Sequence, residues 1–229
     1  MNSRVSVKKR SLPFYSEGEE TLNVVSHAFG VLIGIGMVVT ISQYHQNTTQ
    51  LVSGILFGFS LIILYAMSCT YHGLSRQGAE LEDKKKLQVV DHCSIPMLIT
   101  GTYIPFALCI IEPARPGLGW TLLGIVCTLA SIVTVLTIID LERFKAFTMV
   151  GYFVMGGSLF VGAEILFNAL TPEGFTLFLV GGATYAIGAI FYRLGGYMRM
   201  KWMHSVFHFF CLFGSLLHYF CICLYVFKY

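Results

Sequence analysis

"HSVFHFFCLFGSLLHYFCICLYVF", residues 204–227, contains no Asp, Glu, Lys or Arg. At 1.5 Å per residue a helix of this length reaches about 36 Å, more than the ~30 Å hydrocarbon thickness of a bilayer. Comparable apolar runs recur at about 22–42, 51–72, 89–111, 118–139, 146–168 and 175–192, so that with about 203–227 there are seven. Between them stand the polar or turn-rich breaks QYHQNTTQ, SRQGAELEDKKK, EPARPG, DLERFK, TPEG and RLGGYMRMK. Composition agrees: 55% of residues are hydrophobic and 12% charged, against roughly 25% charged in soluble domains. Lipid offers no hydrogen bonds, so only helices and closed barrels satisfy a spanning backbone, and runs this long specify helices. The expected fold is an all-α integral membrane protein: a seven-transmembrane helix bundle forming a single domain over residues 1–229, with a short N-terminal tail at 1–20.

Lys and Arg stay on the cytoplasmic side when they flank spans in short loops. Alternate connections hold Arg4, Lys8, Lys9 and Arg10, then Arg76, Lys84, Lys85 and Lys86, then Arg143 and Lys145, then Arg193, Arg199 and Lys201. That is thirteen of the 15 basic residues; only Arg115 and Lys228 fall on the other side. The N-terminus is therefore expected in the cytoplasm and the C-terminus outside, in a multi-pass cell membrane protein. The net charge of +3 reflects this loop bias, and no basic stripe with interleaved aromatics suggests a nucleic-acid partner. The first 20 residues lack the apolar core and small-residue site of a cleaved signal peptide. Seven cysteines, at 69, 93, 109, 127, 211, 221 and 223, show no C-x-x-C pairing and read as small apolar packing residues. Small-residue pairs at Gly30/Gly34 and Gly182/Ala186 suit close helix contacts.

The expected topology brings several polar residues to one depth. Span two runs inward and ends with Ser68 and His72; span three begins near Asp91; span seven begins with His204 and His208; Glu20, Asn23 and His27 stand at the start of span one. Ionisable groups in a bilayer are costly and face the bundle interior, where they pair with each other, a proton or an ion. Histidines four apart lie on one helix face about 6 Å apart along the axis. With His72 they offer three neutral imidazoles, the pattern of a catalytic zinc with an open fourth position. Asp91 would serve as hydrogen-bond partner or base for a water there, and Ser68, one turn before His72, as a supporting or substrate-polarising hydroxyl. One H-x-x-x-H is by itself a common accident; what strengthens it is the arrival of His72 and Asp91 at the same level. His218 lies ten residues beyond His208, roughly 15 Å deeper, and is expected to be structural, as are His45 in an outer loop and His92, turned about 100° from Asp91.

Five stretches, EETLNVVSH at 19–27, SCTYH at 68–72, DHCSIPMLITGTYIPF at 91–106, GGATYAIGAIFYRLG at 181–195 and HSVFHFFCLFGSLLHYF at 204–220, resemble the hemolysin III family. That family is the bacterial branch related to the progestin and adipoQ receptors, and the resemblance spans residues 19 to 227. The broader superfamily, with its alkaline ceramidases, implies a seven-helix fold and a cytoplasmic-side zinc held by three histidines. Carried over, these are His72, His204 and His208, with Ser68 and Asp91 close by. Pro96 departs from the pattern, standing where the family often has an aromatic residue. For function the resemblance implies several classes: zinc-dependent hydrolysis of acylated lipids, regulation of membrane-lipid homeostasis with a structural zinc, and cytolysis, as the family's name implies. The hydrolase reading leads, because three histidines, an adjacent carboxylate and a lipid-embedded bundle would supply nucleophile, base and substrate route together. Membrane lipid is then the expected substrate or ligand, and a homo-oligomer is open.

Overall fold

The computed structural model describes residues 12–76, 80–198 and 200–228. Arg4, Lys8, Lys9, Arg10 and Arg199, with the side chain of Arg76, lie outside the described residues, as does most of the tail in which no signal peptide was expected.

Among the described residues six long helices carry the fold: α1 (Glu17–Tyr44), α2 (Thr48–Arg76), α3 (Leu81–Phe106), α4 (Leu118–Gly157), α5 (Pro172–Met198) and α6 (Met203–Cys221). Short helical turns extend α3 to Ala114, α4 to Ala169 and α6 to Val226. No strand occurs among the described residues. Each boundary has a local cause. Helix α1 begins earlier than the apolar run because Ser16 and Glu19 form a capping box, which satisfies two donors that a helix start leaves open. That places Glu20 on the helix. Asn47 accepts the Gln50 N–H at 2.9 Å ahead of α2. Glu112 accepts the N–H groups of Gly117 (2.8 Å) and Trp120 (3.3 Å) at the start of α4, and Gly117 supplies the left-handed φ of 87° there. Proline at the first position opens α5, where its missing N–H costs nothing.

Among the described residues these helical stretches are the six that are long and apolar enough to cross a membrane, one fewer than the seven expected runs. The difference lies in α4. The runs at 118–139 and 146–168 have no loop between them and belong to one stretch of 52 residues, Leu118–Ala169. It is not straight: at Asp140 the backbone is extended (φ −164°, ψ 96°), and the Asp140 carboxylate accepts the Arg143 N–H at 3.1 Å, as an N-cap does. Beyond Asp140 the chain turns back on itself. A Cβ added at Gly151 would lie 2.6 Å from Cγ2 of Val133, whereas residues eighteen apart on a straight helix are separated by about 27 Å.

Neighbours in sequence pack together from α1 through α4, α5 packs on α6, and α6 also lies against α1. The core between them holds Phe57, Tyr65, Phe106, Met37 and Ile41, all fully buried. The outer surface is apolar as well, with Ile138, Val150, Phe160 and Val161 more than half exposed, as expected where the surrounding solvent is lipid. Glycines set the closest approaches. A Cβ at Gly34 would sit 2.8 Å from the backbone oxygen of Gly58, and one at Gly30 would enter the Tyr65 ring, so that pair joins α1 to α2 as expected. Gly182 does not act this way; nothing lies within 4 Å of its Cβ position. The face of α5 that meets α6 is the adjacent one, carrying Gly181 against His218 and Gly188 against Phe210.

Candidate metal centre

At one end of the bundle α2 and the first two turns of α6 bring His72, His204 and His208 together. One ring nitrogen from each lies within 4.8 Å of the other two. Nε2 of His204 stands 3.2 Å from Nε2 of His72 and 3.0 Å from Nε2 of His208. His72 is 0% exposed and His208 2%. Three lone-pair nitrogens converging in a buried space repel unless a proton or a cation lies among them. Tetrahedral zinc, with Zn–N bonds of about 2.0–2.1 Å, spaces its nitrogens about 3.3 Å apart, close to what is seen. The donor set therefore fits a transition metal that favours imidazole.

Helix α1 orients this cluster. Nδ1 of His72 donates to Oε2 of Glu20 at 2.5 Å, which leaves Nε2 as the lone-pair nitrogen facing His204. A carboxylate on the far nitrogen of an imidazole is the usual device for fixing the tautomer of a metal-binding histidine. Asn23, fully buried, stands 3.4 Å from the same Nδ1 and accepts the Ser205 hydroxyl at 2.7 Å, tying α1 to the residue between the two α6 histidines. Asp91 on α3 is half-buried, within hydrogen-bonding reach of Ser68 and electrostatic reach of His72. His27, one turn after Asn23 on α1, stacks on His208, with ring centroids 3.6 Å apart and planes 8° from parallel.

Two aromatic residues join the layer that sequence reasoning passed over. Tyr15 stacks on His204 with centroids 4.7 Å apart at 22°, and Tyr192 of α5 approaches the same ring at 5.7 Å. Tyr15 precedes α1, and its burial, with Tyr192, Tyr71, Glu20 and Asp91 around it, raises the phenol well above its ordinary range. It therefore stays a neutral O–H. Glu19 holds this segment in place: one carboxylate oxygen accepts the Ser16 N–H (2.9 Å) and the other the Trp202 N–H (2.7 Å). Glu20, Asn23 and His27 fall at i, i+3 and i+7, a single helix face, so their spacing carried a signal for the role of Glu20. Nothing in the sequence around Tyr15 carried one.

The remaining histidines stand outside the converging set. Nε2 of His218 donates to the Phe178 carbonyl at 3.2 Å, and His45 contacts the Ile41 carbonyl at 3.0 Å at the end of α1. His92 lies 6.3 Å from the Tyr192 ring, and its carbonyl accepts from Tyr152.

Comparison with known proteins gives this arrangement a context. The family described as "Haemolysin-III related" matches residues 15–219. "Hemolysin-3" of Bacillus cereus is 33% identical over 211 residues, covering 91% of this chain and 92% of that protein. "Hemolysin-3 homolog" of Bacillus subtilis (strain 168) is 34% identical over 213 residues, covering 92% and 95%.

Proposed function

We propose that this multi-pass membrane protein, which belongs to the haemolysin-III related family, is a zinc-dependent hydrolase that cleaves an amide or ester bond of an acylated membrane lipid. The observation that carries the reading is the convergence of three imidazole nitrogens within 4.8 Å, beside a carboxylate, Asp91, inside a bundle whose outer surface faces lipid. His72, His204 and His208 would hold the ion. Zinc in such a site supplies Lewis acidity toward a carbonyl and lowers the pKa of water to about 7.

The chain's own residues do the rest. Asp91 takes the proton of the attacking water, and the Ser68 hydroxyl orients its carboxylate. Glu20 keeps the lone pair of His72 aimed into the cluster. Tyr15 lies across His204 and shields the site from bulk water, which strengthens the electrostatic interactions inside it. The lipid reaches a site that already lies within the bilayer.

In this reading α4 crosses twice, once on each side of Asp140, which gives seven crossings. The supports are its 52-residue length, more than two spans of about 20 residues, and the return of Gly151 to Val133. With thirteen basic residues on one side, the N-terminus and the metal layer face the cytoplasm.

Near-complete burial of His72 and His208 favours a second reading, a structural zinc in a non-catalytic regulator of membrane-lipid homeostasis. The name shared by the two Bacillus relatives brings cytolysis as a third. Incubating the purified protein with a mixed lipid extract, with and without chelator, and measuring free acyl chains by mass spectrometry separates them. Acyl release that the chelator stops is the expected result; no release from any lipid class removes the hydrolase reading.

A further inference from the structure

His27 is the one imidazole of the site layer that the reading above leaves without work. It is 3% exposed, lies flat on His208 and meets the Tyr65 ring edge-on at 4.8 Å. Neither of its ring nitrogens has a hydrogen-bond partner among the described residues. A buried polar group left unpaired costs free energy, and native structures seldom keep one unless a water, an ion or a ligand completes it. Stacking alone does not account for an imidazole here. Phenylalanine would cover His208 equally well and leave no polar atom stranded.

Nor does His27 belong to the converging donor set, which consists of His72, His204 and His208. The His27 ring lies parallel to the ring of His208, with centroids 3.6 Å apart. An imidazole nitrogen hydrogen-bonds in the plane of its own ring, so a small polar group held by the three histidines would meet His27 where it rises out of the His208 plane to the level of the His27 ring. Asn23 is occupied by Ser205, and Glu20 by His72. His27 differs from both in that neither of its ring nitrogens has a hydrogen-bond partner among the described residues.

We propose that His27 is a positioning residue that hydrogen-bonds the exogenous ligand of the three-histidine site. The inference rests on the metal-site reading above, and it adds a binding contact from a helix that contributes no metal ligand.

The test uses the full-length protein in detergent, loaded with cobalt(II) and titrated with acetohydroxamate, with binding followed by the visible spectrum and metal content measured on the same samples. His27→Phe keeps a flat ring on His208 without nitrogen, and His27→Leu serves as the second variant. Both are expected to keep the metal and to bind acetohydroxamate at least about ten-fold more weakly, the loss expected for one hydrogen bond to a charged group. His27→Gln, whose amide restores a donor and an acceptor, is expected to recover most of that affinity. Unchanged hydroxamate binding in the variants that keep the metal would overturn the proposal and leave His27 a packing residue. Loss of metal in both, with the fold intact by size-exclusion chromatography, would overturn it by making His27 a ligand. If the wild-type protein takes up no cobalt, the metal-site reading falls and this inference with it, an outcome distinct from the other two.

Discussion

The Glu20–His72 contact shows how one residue sets the chemistry of another. An imidazole has two nitrogens, and only the one left without a proton can bind a metal; the carboxylate at 2.5 Å from Nδ1 settles which. Glu20→Gln is expected to weaken zinc binding by about 10–100-fold, as removal of such a partner does, in a competition titration against a coloured chelator. His204→Ala and His208→Ala should each abolish most zinc binding in metal analysis of the purified proteins, since both reach the cluster from a single helix. Full occupancy in both would put the metal elsewhere. Asp91 is different in kind, because it stands beside the converging set without belonging to it. Asp91→Asn keeps the volume and a hydrogen bond but loses the base, so zinc should be largely retained while lipid hydrolysis falls by about 10²–10⁴-fold. Hydrolysis that survives unchanged would exclude Asp91 from the mechanism, and parallel loss of metal would make it a ligand.

At the scale of the helices, the distance between backbones governs the fold. Gly34 of α1 lies against Gly58 and Ile62 of α2, where a Cβ would meet a backbone oxygen at 2.8 Å. Backbone cannot yield as a side chain can, so Gly34→Ala must push the two helices apart. Overpacking of this kind costs typically 1–3 kcal/mol, and it also moves the α1 and α2 residues that form the Glu20–His72 pair. Gly124 provides the control, since nothing lies within 4 Å of its Cβ position and the residue is exposed on α4. Gly124→Ala should be neutral or stabilising by up to about 1 kcal/mol, the helix-propensity gain. Thermal denaturation of the two variants in the same detergent makes the comparison; equal stability would mean that the α1–α2 contact tolerates a methyl group.

For the whole molecule, sidedness decides which compartment the histidine layer faces. The distribution of Lys and Arg predicts a cytoplasmic N-terminus and an external C-terminus, and that requires an odd number of crossings. Reporter fusions active on only one side of the membrane, placed at both ends and just after Asp140, check this. A fusion after Asp140 should report the cytoplasm. A cytoplasmic C-terminus would imply an even number of crossings and would place the turn of α4 in the membrane plane.

Much of the protein was legible in its residues. Long apolar helices and their approximate limits follow from hydropathy, which counted seven runs where the structure has six stretches, and the histidines that gather at one end follow once Lys and Arg orient those runs, because a bilayer imposes a fixed length and penalises every buried ionisable group. The Asp140 turn was legible as a polar break, DLERFK, but not as a bend without a loop; an N-cap needs only one extended residue, and hydropathy cannot register that. Whether Gly181 or Gly182 meets α6 was not legible either, since adjacent residues on a helix share composition but face directions about 100° apart. The pairing of Glu20 with His72, the stacking of His27 on His208 and the arrival of Tyr15 over His204 were decided by tertiary structure. Each joins residues separated by dozens of positions or more, or lying on different elements, and their distances depend on how closely glycine lets the helices approach. Local sequence sets which groups a helix carries and at what depth, while the rotation and spacing of neighbouring helices set which of those groups touch.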